Sequence, residues 1–122
     1  MAGAALIGME RVSRRDVAMD REAVAARSLA LATDAGSSLE TRITAMQVCA
    51  LMGASGVMPA ARQEARSAGS PVLRMAAIAT VGSLGGGEDA ALLDEIGQAA
   101  GDRYVVKAAQ SAGGRLRQRL GQ

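Results

Sequence analysis

The sequence predicts an all-α protein, an α-solenoid or superhelix of stacked antiparallel helix pairs with about seven helices. Three observations predict this fold class. The 122-residue chain is 49% hydrophobic, but that fraction is dominated by 27 alanines and includes one aromatic residue, Tyr104. Such small side chains cannot fill a wide core, whereas they let helices pack closely. The other two observations are regularly placed helix-start and glycine signals and an internal repeat.

The repeat is visible when residues 41–46 are placed on residues 73–78. A second placement puts Val72–Arg74 on Val105–Lys107, so the second interval is one position longer than the first. Small or apolar residues recur at the positions that would face inward, which is typical of units that bury one side against the next unit. We therefore expect one domain over 1–122, made of a degenerate N-terminal repeat at 1–36, repeats at 37–69 and 70–101, and a C-terminal cap helix at 102–122.

Each copy opens with residues that favour the start of a helix. Ser37 and Glu40 have the spacing of a capping box, in which hydroxyl and carboxylate each accept a backbone N–H. Ser70 offers a hydroxyl cap and is followed by a proline, and Asp102 offers a carboxylate cap. First helices are therefore expected to begin near these three points.

Glycine turns separate these first helices from second helices, which we expect over 57–68 and 88–100. Upstream, residues 16–32 favour a long helix with one apolar stripe, and Ala4–Gly8 resembles the end of an earlier helix. Gly113 and Gly114 lie within the predicted C-terminal helix. Each is expected to weaken or bend this helix, at a cost of about 1 kcal/mol relative to Ala.

The run LRMAAIATVGSLG at 73–85, followed by EDAALL at 88–93, resembles the HEAT-like repeats of the phycobilisome-lyase type. In those repeats a Val-Arg pair begins the first helix and an acidic-Ala-Leu segment begins the second. The resemblance covers residues 37–112 and implies a helical-repeat fold. It implies no single function, because scaffolds, lyases and nucleic-acid enzymes all carry this repeat.

Composition excludes several classes of site. The chain has no His, one aromatic residue and one cysteine, Cys49. This composition excludes His-based catalysis, His-ligated metals, aromatic stacking of bases and a disulfide framework. We predict no catalytic residue, no cofactor and no metal. A cytoplasmic protein is expected, since a lone thiol fits a reducing compartment. We expect no membrane span or signal peptide, because no stretch reaches the roughly 20 apolar residues of a span and Met1–Met9 lacks a basic leading segment.

Four groups of residues suggest chemistry but favour structural roles. Cys49 aligns with Val81 and has no His to activate it, so we expect it in the core. The acids Glu88, Asp89, Asp94 and Glu95 favour a solvated helix face, and the glycines at 85–87 favour a turn. Three basic residues recur at one phase of the repeat, and we expect them to reach carboxylates or helix-end carbonyls of neighbouring repeats: Arg42, Arg74 and Lys107.

The predicted function is non-catalytic protein–protein interaction through the surface of the second helices. The partner is expected to be another protein, with self-association as a variant of this function, since repeat ends can stack. The predicted contacts are five polar residues of the second helices: Arg62, Gln63, Arg66, Asp94 and Gln98.

An alternative function follows from the distribution of charge. Residues 88–102 contain five acids and no base, whereas residues 103–122 contain five bases and no acid. This basic end predicts a nucleic-acid-binding module with Arg115, Arg117 and Arg119 on phosphates. A third alternative is an enzyme of the lyase or base-excision kind that carries this repeat.

Overall fold

The computed structural model describes residues 17–34, 36–67, 69–99 and 101–121. Over these ranges the chain forms six α-helices, one short 3-10 turn and no strand, so the predicted all-α class is confirmed there. The predicted element at Ala4–Gly8 lies outside the described residues. The elements are α1 (Val17–Thr33), α2 (Leu39–Met52), the 3-10 turn (Ser55–Val57), α3 (Met58–Ser67), α4 (Pro71–Leu84), α5 (Gly87–Ala99) and α6 (Arg103–Arg119). None of these helices is both long and apolar enough to cross a lipid bilayer.

Helices α2, α4 and α6 begin at N-caps that are evenly spaced along the chain, Ser38, Ser70 and Asp102. Asp102 Oδ1 accepts the N–H of Tyr104 at 2.7 Å, so the predicted caps at 70 and 102 are confirmed. The predicted capping box at Ser37 is wrong by one residue. Ser38 accepts the N–H of the third residue of the helix at 3.2 Å, whereas Ser37 donates its hydroxyl to Asp34 at 3.1 Å.

The caps give a different alignment for the predicted last repeat. If Ser70 and Asp102 are taken as equivalent positions, Leu73 falls on Val105, and both side chains are buried. In this alignment the interval is one residue shorter than in the sequence comparison. Arg74 then falls on Val106, so Lys107 does not share the position of Arg74.

Two glycines, Gly53 and Gly113, have different structural roles in the helices. Gly53 ends α2 in the left-handed region at φ 68°, a conformation that costs other residues more. Gly113, in contrast, lies within α6, which continues to Arg119, so the expected weakening does not end the helix. A Cβ at Gly113 would lie 3.8 Å from the Cβ of Leu93. The missing side chain therefore leaves α6 close to α5.

The chain divides into two compact units, Met1–Val57 and Met58–Gln122. In the first unit α1 packs on α2, and the 3-10 turn contacts both helices. The buried Ser28 donates its hydroxyl to the carbonyl of Val24 at 2.7 Å, which satisfies a polar group away from water. The remaining buried side chains are small or aliphatic: Val24, Ala32, Ala45, Met46, Val48, Cys49 and Val57.

The thiol of Cys49 is fully buried, as predicted. Burial raises its pKa to about 11, because the thiolate is poorly solvated there. At neutral pH we therefore expect Cys49 of the folded protein to resist a thiol reagent such as dithionitrobenzoate. Because it is the one thiol of the chain, the colour change should appear at the rate of unfolding and should become fast in urea. Fast labelling of the native protein would contradict this placement.

In the second unit α4 is the central helix. It packs extensively on α3 and α6, and α6 also packs on α5. Helix α4 buries Leu73, Ala76, Ala77, Ile78, Thr80, Val81 and Gly82. Thr80 satisfies its hydroxyl by donating to the carbonyl of Ala76 at 2.9 Å. The core is thus built from short side chains between closely spaced helices.

Helices α4 and α6 lie very close to each other at Gly82. A Cβ at Gly82 would lie 2.8 Å from the Cβ, 3.0 Å from the Cα and 3.1 Å from the carbonyl oxygen of Ala112. Two of these three atoms belong to the backbone of α6. The abundance of Ala and Gly therefore has a direct structural consequence, since a larger residue here would push two helices apart.

Candidate functional site

The predicted contact residues lie on the exposed sides of α3 and α5. Gln63 and Arg66 are three residues apart on α3, and Asp94 and Gln98 are four residues apart on α5, so each pair shares one side of its helix. All four residues are exposed. Arg62 differs from them because it is half-buried and pairs with a buried carboxylate.

Arg62 forms a two-point ion pair with Asp89, which lies on another helix. Arg62 Nε donates to Asp89 Oδ1 at 2.8 Å and Nη2 donates to Oδ2 at 3.0 Å. The side chain of Asp89 is 2% exposed, so the prediction that it lies on a solvated face is wrong. Gly86 also donates its N–H to Asp89 Oδ2 at 2.9 Å. Three hydrogen bonds thus compensate the burial of one carboxylate.

This ion pair shifts the pKa of both groups. The hydrogen bond from Arg62 holds the pKa of Asp89 below its usual range, against the opposing effect of burial. The same hydrogen bond raises the pKa of Arg62 above its usual value. Glu88 lies 3.6 Å from the same guanidinium, but its side chain is 77% exposed. The ion pair of Asp89 therefore links α3 to the start of α5. These two helices carry the predicted contact residues.

A shallow, half-open groove of about 150 Å³ lies between α5 and α6. Its lining combines two predicted contact residues with three others: Leu93, Asp94, Gly97, Gln98 and Gln110. A Cβ at Gly97 would lie 3.7 Å from Gln110 Cγ, an ordinary contact distance, so an alanine would fit there and would narrow the groove. The groove offers two amides and one carboxylate as hydrogen-bonding groups.

The three arginines predicted to contact phosphate have different surroundings. Arg117 forms an ion pair with Asp94 across the side of the groove. Arg119 donates to the carbonyls of Gly85 at 2.7 Å and Gly82 at 3.3 Å, where it satisfies the C-terminal end of α4. Arg115 is exposed and forms no hydrogen bond or ion pair with any described residue. Of these three arginines, Arg115 alone is unpaired among the described residues.

The recurring basic residues are explained in part by helix-end carbonyls. Arg74 Nε donates to the carbonyl of Ala65, in the last turn of α3, at 2.7 Å. This contact confirms the structural role predicted for Arg74. Lys107 is exposed on α6, away from any such carbonyl among the described residues.

Sequence reasoning missed the roles of three residues of these sites: Asp89, Gly97 and Gln110. Gly97 had a usable signal, since glycine within an otherwise favourable helix costs about 1 kcal/mol relative to Ala and points to a packing or functional reason. Gln110 had none, because its position beside Gln98 depends on how α6 packs against α5. No group of three or more Cys, Asp or Glu side chains in the described ranges could hold a metal ion. Comparisons of the chain with protein-family models, curated proteins and solved structures found no match.

Proposed function

We propose that this chain is a non-catalytic protein-binding module whose helix pairs are HEAT-like repeats. The even spacing of the N-caps at positions 38, 70 and 102 supports the repeat assignment, because the interval lies within the range of helical-pair repeats. The partner contacts the exposed sides of the second helices, α3 and α5. The observation that carries the proposal is the groove beside α5, which is lined by Asp94 and Gln98.

The size and lining of the groove favour a protein partner. Pockets for small molecules usually have volumes of about 300–1,000 Å³, whereas this groove has about 150 Å³. A volume of this order accommodates a side chain or a short stretch of backbone. Gln98 and Gln110 each present an amide that donates and accepts, which matches the alternating N–H and C=O groups of a peptide.

The ion pair of Arg62 and Asp89 supports recognition by fixing α3 before a partner arrives. A surface that is already in place loses less conformational entropy on binding. Gln63 and Arg66 lie within four residues of Arg62 on α3, and the pair therefore holds their helix in position. In this proposal Arg62 is a positioning residue, and the four exposed residues make the contacts.

The test uses photo-crosslinking from two exposed glutamines. A photoreactive phenylalanine replaces Gln98 in one version of the full chain and Gln47, exposed on α2, in the other. After irradiation in the native host, we expect a defined protein adduct from position 98 and none from position 47. Equal adducts from both positions, or none from position 98, would contradict the proposal.

The crosslinked protein is then purified and its affinity is measured by titration. Gln98→Ala removes the amide and Gly97→Ala occupies part of the groove, so each is expected to weaken binding about tenfold, which corresponds to about 1.4 kcal/mol. Gln47→Ala is the matched control and should bind like the original chain. Unchanged affinity in the two groove variants would show that the partner binds elsewhere.

A further inference from the structure

Helix α6 carries a second surface, on the side opposite its buried face. Five exposed residues follow one another at intervals of three or four along the helix, so they form one line, which we call the α6 strip. The line from the first to the last residue is about 21 Å long at 1.5 Å per residue. The α6 strip consists of Tyr104, Lys107, Ser111, Arg115 and Gln118.

The cations of the α6 strip are not neutralised by the described residues. Lys107 and Arg115 form no ion pair there, whereas Arg117 on another side of the helix is paired with Asp94. Residues 103–122 contain no acid at all. Lys107 and Arg115 lie eight residues apart, or about 12 Å along the helix, so they present two separate positive charges to a partner.

The strip also carries the one aromatic residue of the chain. Tyr104 is 57% exposed, so its ring is accessible to a ligand although the composition predicted no aromatic stacking of bases. The guanidinium of Arg103 lies 5.1 Å from the ring centroid, and its Nη2 donates to the Tyr104 hydroxyl at 3.3 Å. An exposed ring thus stands at one end of a line of cations, with a further cation beside it.

We propose that the α6 strip binds single-stranded nucleic acid. Lys107 and Arg115 contact successive parts of the phosphate backbone, and Tyr104 stacks on a base. An acidic peptide would also satisfy the two cations, but it offers no flat π surface to Tyr104. A strand with unpaired bases supplies both the charge and the stacking partner. This activity goes beyond the proposed protein binding, because it uses the outer side of α6 and neither α3 nor α5.

The test measures binding of the full chain to fluorescein-labelled oligothymidylate of 15 nucleotides by anisotropy at several salt concentrations. Unlabelled oligothymidylate is added in a parallel titration that follows tyrosine emission, since Tyr104 is the one aromatic fluorophore. We expect affinity to fall steeply with salt and the emission to be quenched. Lys107→Gln and Arg115→Gln should each weaken binding at least threefold and lower the slope of log K against log salt by about 0.7.

Three variants separate stacking from charge. Tyr104→Leu should weaken binding at least fivefold, whereas Tyr104→Phe keeps the ring and should keep the affinity. Arg27→Gln removes an exposed arginine from α1, outside both proposed surfaces, and is the control for general charge. Circular dichroism melts confirm that every variant remains folded.

Several outcomes would overturn the proposal. Absence of binding at low salt is one, and equal losses in Arg27→Gln and Arg115→Gln are another. Heparin and polyglutamate serve as polyanions without bases. If they bind as tightly as the oligonucleotide, and if the oligonucleotide leaves tyrosine emission unchanged, the strip recognises charge alone and the assignment to nucleic acid is wrong.

Discussion

Gly82→Ala is expected to lower the free energy of unfolding by about 2 kcal/mol. The added methyl would lie 2.8 Å from the Cβ and 3.0 Å from the Cα of Ala112. Overpacking of this kind costs up to about 3 kcal/mol, and the better helix propensity of alanine returns about 1 kcal/mol of that. Because the atoms met at Gly82 include backbone, rotation of a side chain cannot relieve the contact. Urea denaturation followed by circular dichroism measures the change.

Gly114→Ala is the matched control for this prediction. Gly114 also lies inside a helix, but a Cβ there would meet no atom within 4 Å. Its replacement should raise the free energy of unfolding by up to about 1 kcal/mol through helix propensity alone. The two identical substitutions should therefore differ by about 3 kcal/mol. Equal effects at Gly82 and Gly114 would show that α4 and α6 are not in close contact.

The helices could be predicted from the sequence because their signals are local. Ser70 followed by proline and Asp102 are capping signals within one turn of the helices they begin, and both are N-caps in the structure. The placement of Cys49 in the core also followed from a local comparison with Val81. Ser38 was missed because residues 37 and 38 are both serine, and the sequence pattern alone does not show which of them caps the helix.

The sites depended on contacts that no local pattern contains. Asp89 has the ordinary signature of an acid in the first turn of a helix, where the helix dipole favours a solvated carboxylate. Its partner, Arg62, belongs to a different helix, and only the packing of α3 near the turn between α4 and α5 brings them together. Arg119 was likewise predicted to face a phosphate, but it reaches carbonyls at the end of α4, which lie far before it in the chain.

Arg62→Met is expected to lower the free energy of unfolding by about 3 kcal/mol. It leaves the carboxylate of Asp89, which is 2% exposed, with one remaining hydrogen bond, from Gly86. Removal of one partner of a buried ion pair costs about 3–5 kcal/mol. The expected loss of unfolding free energy is at the lower end, about 3 kcal/mol, because the Arg62 side chain is 39% exposed and solvent partly screens its attraction to Asp89. Thermal and urea denaturation at pH 7 measure it.

Glu88→Gln is the matched control, since Glu88 is the adjacent acid near the same guanidinium. Its nearest oxygen is 3.6 Å from Arg62 Nη2, and the side chain is 77% exposed. Exposed pairs contribute about 0–1 kcal/mol, so this variant should unfold at nearly the same urea concentration as the original chain. A loss in Glu88→Gln as large as that in Arg62→Met would place the important ion pair at Glu88 and would contradict the role assigned to Asp89.

The contribution of Asp89 to the pH dependence of stability should differ between the original chain and Arg62→Met. In the original chain Arg62 lowers the pKa of Asp89, so the stability from this pair is fully present above the unfolded pKa of about 3.9 and is lost as pH falls through the lowered value. In Arg62→Met the burial of Asp89 is opposed by one hydrogen bond only, and its pKa should rise above the unfolded value. The folded variant then binds its proton first, and its free energy of unfolding increases as pH falls towards 4. Urea titrations between pH 7 and pH 4 should show the deficit of Arg62→Met shrinking on acidification, whereas a constant deficit would mean that Asp89 stays ionised without Arg62.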